Sequence, residues 1–324
     1  MLDVIGFGAL NLDLIYEVDS LNHISGEEGE LRPGRELATD SESFVRIQNR
    51  VEKRGSLKAE APGGSAANTI SALARMGFRT GFVGKVGTDA EGETLLSGMT
   101  EIDLGGVIHG GRSGRCLSVL DSQRDRLMML EPNTNDTLSI DEIDWHFAAN
   151  TRYLHLTSFV GERPLLAQKA LADRVSAQVR LTFDPGEVYV RRGLDILQSI
   201  IEKSYVVFAT DGEIERLTGL DFVTGSGRLL EMGASIVACK RGDKGACVIS
   251  HHDRITLPSK AVEVVDNTGA GDVFNAGFLA GLLMDWDLIE CTQFGIELAA
   301  RSLTGFGRNR YPSKSDLPSF IHRH

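Results

Sequence analysis

The chain has 324 residues, 42% of them hydrophobic and 24% charged, with 36 glycines, few aromatics and a formal net charge of −11. That is enough apolar material for one sizeable α/β core, and the glycine content suits many tight strand-to-helix turns. The acidic balance argues against nucleic acid and anionic membrane as partners, and no apolar run approaches the ~18 residues of a membrane span.

Four cysteines, Cys116, Cys239, Cys247 and Cys291, form no C-x-x-C pair and have no companion histidine cluster. They read as reduced thiols of a cytoplasmic protein. Met1 to Ala9 opens as a core-like strand without a basic leader, which agrees with a cytoplasmic location. The Asn135-Asp136-Thr137 sequon and the Arg241-Gly242-Asp243 tripeptide are then coincidences.

In chain order, Val4 to Gly8 reads as a short buried strand ending in a turn. Leu12 to Val18 alternates roughly and reads as a half-exposed strand. Residues 20 to 60 are charged and glycine-punctuated, a peripheral excursion of short strands or a helix. Pro62-Gly63-Gly64 leads into a helix with small or apolar residues at Ala66, Ile70, Leu73 and Ala74, ended by Gly77. A strand follows at Thr80 to Val83. Cys116 to Asp121 and Arg126 to Leu130 flank a turn and predict a hairpin. From about Thr151 strands and helices alternate. The strands are Tyr153 to Leu156, Val179 to Phe183, Tyr205 to Ala209, Ser235 to Ala238, Ala246 to Ile249 and Val262 to Val265. Helices run through Ala172, through Ile201 and over Gly212 to Leu217, and a long one starts at Gly271. This alternation predicts an α/β fold with a mainly parallel central sheet covered by helices on both faces. A single domain over 1–324, with a small lid from parts of 12–60 and 112–132, is the economical organisation.

The strongest chemical signal is Val265-Asp266-Asn267-Thr268-Gly269-Ala270-Gly271-Asp272, where a strand runs into Gly-Ala-Gly and then a helix. Free N–H groups at a helix start, with the helix dipole behind them, make an anion site. Small residues at Gly269, Ala270 and Gly271 let a phosphate approach the backbone. Asp272 beside that site would repel the phosphate unless it had a task, and accepting a proton from an attacking hydroxyl is such a task. The plainer alternative is a capping aspartate after a glycine turn. No G-x-x-x-x-G-K-[ST] loop occurs, and Gly6-x-Gly8-x-x-Asn11 lacks the third glycine of a dinucleotide loop. That gap weakens a dinucleotide oxidoreductase reading. Gly63-Gly64-Ser65-Ala66-Ala67-Asn68 exposes backbone donors and one side-chain amide at a helix start. Asn11 and Asp13 point to one side of an extended chain and suit a polyol. Local turn chemistry is the alternative for both.

With these residues the chain resembles the ribokinase-like, PfkB-type carbohydrate kinases over essentially its whole length. One family signature is Gly63 to Asn68 continuing through Gly84-Lys85-Val86-Gly87-Thr88-Asp89-Ala90-Glu91-Gly92. The other is Asp266 to Asp272. Segments such as Leu154 to Glu162 and Phe183-Asp184-Pro185-Gly186 look most like the archaeal-type sugar and nucleoside kinases. The resemblance implies phosphoryl transfer from ATP, with Mg2+, to a hydroxymethyl group of a sugar, sugar derivative or nucleoside. By resemblance, Asp272 is the catalytic base, and Gly269, Ala270 and Gly271 form the anion hole. Asn11, Asp13, Gly63, Gly64 and Asn68 hold the acceptor. Thr210, Lys240, Gly242 and Gly245 lie along the nucleotide, and Glu213 organises hydrated magnesium. A β-sheet lid over the sugar and a homodimer formed through it are also implied, while activation by a monovalent cation stays open.

Several positions depart from the pattern. Thr210 stands where the family usually has Asn, and Asn267 replaces a Thr. Lys240 stands where many members have Thr, either as a partner for the polyphosphate or as a solvated strand-end lysine. Thr157 and Ser158 occupy the region where ribokinases proper have a glutamate, which puts ribose itself in question. Thr210 is also the feature that favours a rival, a non-catalytic sugar or nucleotide sensor on the same fold.

Overall fold

The computed structural model describes residues 1–25, 36–123 and 125–317. Residues 26–35 of the expected peripheral excursion and residue 124 of the hairpin turn lie outside the described residues. Fourteen strands are found among the described residues. They are β1 (Leu2–Phe7), β2 (Asn11–Val18), β3 (Glu36–Ala38), β4 (Gly55–Gly63), β5 (Thr80–Val86), β6 (Ile102–His109) and β7 (Gly114–Leu120). They continue as β8 (Arg126–Glu131), β9 (Thr151–Thr157), β10 (Arg180–Asp184), β11 (Ser204–Thr210), β12 (Ile236–Lys240), β13 (Ala246–Ser250) and β14 (Arg254–Leu257).

Nine strands make the large sheet in the order β14-β13-β12-β11-β10-β9-β1-β5-β6. Every pair from β6 to β12 is parallel, and β13 and β14 close the far edge as antiparallel strands. The period-2 alternation of strand side chains divides the core. Val206 and Phe208, Ile236 and Ala238, and Ala246 and Val248 join one apolar cluster. Their neighbours Val207, Ala209, Val237, Cys239, Cys247 and Ile249 join the other. The first cluster is covered by the helices Ser65–Arg75, Ala270–Leu283 and Leu288–Ser302, and the second by helices between Glu162 and Glu231. This is the expected α/β arrangement, a mainly parallel sheet covered by helices on both faces.

The five remaining strands form a separate sheet, β3-β8-β7-β2-β4. It contains the expected β7–β8 hairpin and β2, which pairs with β7 in parallel and β4 in antiparallel fashion. The strand expected to be half-exposed is instead buried along nearly its whole length, because Leu12, Leu14, Tyr16 and Val18 pack into the first apolar cluster. The helix Ser41–Glu52 buries Phe44, Ile47 and Val51 against this layer.

Other expectations change as well. Residues 262–265 do not form a strand: the sheet already ends at β14, Val264 is 43% exposed, and the segment is tied down instead by the Val265 N–H donating to the Leu303 carbonyl. The helix expected through Ile201 is two, Gly186–Val190 and Leu194–Ile201, separated by Gly193 at φ +91°. The long helix begins at Ala270, one residue early, behind Gly269 in the left-handed conformation at φ +74°. All four cysteines are free and buried, and among the described residues no helix is long and apolar enough to cross a membrane.

Candidate active site

The chain crosses from the large sheet to the small one between β1 and β2 and returns between β4 and the helix Ser65–Arg75. The two crossings touch. A Cβ on Gly64, at φ +104°, would stand 2.1 Å from the Ala9 carbonyl, so only glycine fits the return. A cleft of about 590 Å³ opens between the sheets. It is lined by Asn11, Asp13, Gly64 and Asn68 on one side and by Lys240, Glu213, Gly269, Gly271 and Asp272 on the other.

On the lid side, Asn135 fixes the crossing. Its Oδ1 accepts from the Leu10 N–H, and its Nδ2 donates to the Leu10 carbonyl and to Asn11 Oδ1, all within 3.0 Å. Asp13 packs against the bare Cα of Gly63, where a Cβ would come within 2.2 Å of its carboxylate. Burial pushes the Asp13 carboxyl up to about 7, against the pull of Arg308 and Arg126.

On the other side, the helix Ala270–Leu283 starts with no side-chain cap, and the Ala270 N–H reaches the Asn267 carbonyl at 3.4 Å, a weak bond. The first N–H groups of a helix lack intrahelical partners and here border the cleft. Asp272 Oδ2 accepts from Asn68 Nδ2 at 2.9 Å, and the Asp272 carbonyl accepts from Thr69 Oγ1 at 3.1 Å. Burial lifts the Asp272 carboxyl to about 7. The Asn68 bond, Lys240 and Arg308 restrain that rise, and Asp184 adds to it.

Lys240 is neither solvated nor isolated. Its Nζ lies 2.5 Å from Asp184 Oδ2, with side chains 14% and 7% exposed. Asn275 Nδ2 donates to the same oxygen at 2.6 Å. Burial alone would neutralise both charges, but mutual attraction wins: the Asp184 carboxyl is held below and the Lys240 ammonium above its ordinary range. The ammonium also borders Gly271, 3.4 Å from where a Cβ would sit. Glu213 and Thr210 form a reciprocal capping box: the Glu213 carboxylate accepts from the Thr210 N–H at 2.7 Å and Thr210 Oγ1 from the Glu213 N–H at 3.2 Å. Burial and Asp184 raise the Glu213 carboxyl.

Five of the sequence-selected residues lie outside the cleft lining: Gly63, Thr210, Gly242, Gly245 and Ala270. Gly242 and Gly245 shape the turn between β12 and β13, and a Cβ on Gly245, at φ +87°, would meet the Leu257 carbonyl at 2.0 Å. Sequence reasoning missed Arg126, Asn135, Asp184, Asn275 and Arg308. Asp184 carried a signal, as a carboxylate at the C-terminal end of a parallel strand, where open α/β sheets place their ligands. Asn275 stands one helical turn beyond Asp272. Asn135 was set aside with its sequon, and its burial agrees with reading that sequon as coincidental.

The profile of the pfkB family of carbohydrate kinases matches residues 36–314. The chain belongs to that family. This pfkB-family enzyme is 38% identical over 242 residues to an uncharacterized sugar kinase of Archaeoglobus fulgidus, covering 72% of this chain and 95% of that protein. Its fold superimposes on adenosine kinase from Sinorhizobium meliloti with a TM-score of 0.88, at 22% identity and covering 100% and 99% of the two chains. A putative ribokinase II from E. coli, solved in complex with ATP and Mg2+, aligns with a TM-score of 0.78 at 21% identity over the full length of both chains.

Proposed function

We propose that this pfkB-family kinase transfers the terminal phosphoryl group of ATP directly to a hydroxymethyl group of a sugar or nucleoside, with Asp272 as general base. The observation that carries the reading is the juxtaposition of the uncapped start of Ala270–Leu283, the Asp272 carboxylate in its first turn, and the polyol-type groups Asn11, Asp13 and Asn68 across one cleft. Asn11, Asp13 and Asn68 orient the acceptor, and positioning of this kind removes on the order of 7–11 kcal/mol of barrier in favourable cases. Asp272 takes the hydroxyl proton. The Gly269–Gly271 backbone and Lys240 face the transferred group's charge. Lys240 thus fits the polyphosphate role better than that of a solvated lysine.

Among the described residues no group of three or more His, Cys, Asp or Glu side chains could hold a metal by itself. That suits magnesium, which keeps several waters and shares phosphate oxygens. Glu213, through water, and Asp184 are the carboxylates of the cleft lining that would hold the ion. Bound magnesium would neutralise charge on the phosphates.

The lid underside supports an acceptor with a flat apolar part. Strand register places Asp13, Cys116 and Leu130 in one row and Ser118, Met128 and Glu36 in the next, all lining the cleft. Beyond the polyol groups the floor sets the apolar or sulfur-bearing side chains Cys116, Met128 and Leu130, which suit a ring face, beside the polar Ser118 and Glu36, which suit a base edge. The Ser118 hydroxyl there has no hydrogen-bond partner among the described residues. Such a floor favours a nucleoside over a bare sugar. The test is ADP release by the wild-type protein with pentoses, hexoses, keto-deoxy sugar acids and nucleosides. Turnover is expected with at least one acceptor, and with a nucleoside above a free pentose. Binding across the panel with no turnover would favour the sensor instead.

A further inference from the structure

Arg308 lies 240 residues beyond Asn68, on the segment that follows the helix Leu288–Ser302. Its Nε donates to Asn68 Oδ1 at 3.1 Å and its Nη1 to the Gly98 carbonyl at 3.2 Å. Its own carbonyl accepts from Arg75 Nη1 at 2.8 Å, so the segment is tied to both ends of the helix that carries Asn68. A guanidinium only donates, and an ionised carboxylate only accepts. The Asn68 amide stands between one of each. A single orientation satisfies both neighbours, with Oδ1 toward Arg308 and Nδ2 toward Asp272.

We propose that Arg308 is a positioning residue that acts through Asn68, locking the amide so that its donor faces Asp272 and aims that carboxylate into the cleft. Without Arg308 the amide is free to turn over, and a protonated Asp272 can then donate to Asn68 Oδ1. Amide orientation and proton occupancy at Asp272 are therefore linked. The other charged groups facing Asp272 are Asp184, which raises its proton affinity, and Lys240, which lowers it; Asp13 and Tyr311 share the same surroundings of Arg308.

The proposal rests on Asp272 as the proton acceptor, but its test needs no substrate and so stands apart from the acceptor panel. The aspartate carboxyl carbons of the ligand-free full chain are titrated by NMR, with the Asp272 signal assigned by its loss in Asp272→Asn. Arg308→Met should raise the Asp272 midpoint by on the order of one pH unit, as loss of a charge-assisted partner does. In an Asn68→Ala background the same substitution should move it far less, which is the signature of coupling in a double-mutant cycle. Arg308→Gln keeps a donor without the charge and should give an upward shift smaller than that of Met, so it carries the test if Arg308→Met does not fold. A midpoint unmoved by the folded variants, or moved equally with and without Asn68, overturns the proposal.

Discussion

Asp272 carries two opposing demands. Its carboxyl is raised to about 7, above the usual carboxylate range, chiefly by burial. The folded protein therefore holds that proton up to near pH 7, while the unfolded chain releases it near pH 4. The stability it contributes is complete at low pH and is lost as pH rises through about 7. As the proposed general base Asp272 must be ionised, so turnover should rise over the same interval. Asp272→Asn is accordingly expected to raise the melting temperature at about pH 8 and to leave it nearly unchanged at about pH 4, as differential scanning calorimetry at the two pH values would record. Equal gains at both would mean that charge burial is not the cause. The aspartate and its glycine run were legible in the sequence, because a helix start leaves a local pattern. The groups that tune Asp272 were not: Asn68 was legible only as a possible acceptor ligand, and Asp184 and Arg308 reach it from distant segments.

Among the elements, the two C-terminal helices matter most for aiming Asp272. Ala270–Leu283 and Leu288–Ser302 cross at bare glycine backbone. A Cβ on Gly277 would stand 2.8 Å from Gly295 Cα and 3.1 Å from the Phe294 carbonyl. Backbone cannot swing aside as a side chain can, so Gly277→Ala must move a whole helix. The expected cost is about 1–3 kcal/mol in urea denaturation, together with a fall in kcat, since the same helix carries Asp272. Unchanged stability would show that the crossing has slack. Local pattern predicted most of these elements but failed at particular places. Ile102–His109 holds two adjacent glycines and no regular alternation, so β6 did not read as a strand. The valines at 262, 264 and 265 read as one, although the sheet ends at β14 and the backbone there bonds to the Leu303 carbonyl instead. Periodicity reports a face to be buried, and only the assembled sheet says whether a place for it exists.

For the molecule as a whole, the proposed function depends on two sheets meeting across a cleft. Arg126, at the start of β8 in the lid, donates to Thr268 Oγ1 at 3.0 Å beside the start of the Asp272 helix. This contact links the small sheet to the turn proposed to bind the phosphoryl group. Arg126→Ala should lower kcat/KM by roughly tenfold, in line with loss of one charge-assisted hydrogen bond, with little change in melting temperature because the side chain is partly exposed. A large loss of stability with normal kinetics would assign Arg126 to the fold alone. The sheet-plus-lid plan was readable from the order of strands and helices. The closeness of the lid to residues 267 and 268 was not, because it pairs segments about 140 residues apart. The most direct test of the whole account is steady-state kinetics of Asp272→Asn with the best acceptor found. The account predicts kcat reduced roughly 10²–10⁴-fold with both KM values nearly preserved. Turnover close to wild type would contradict it.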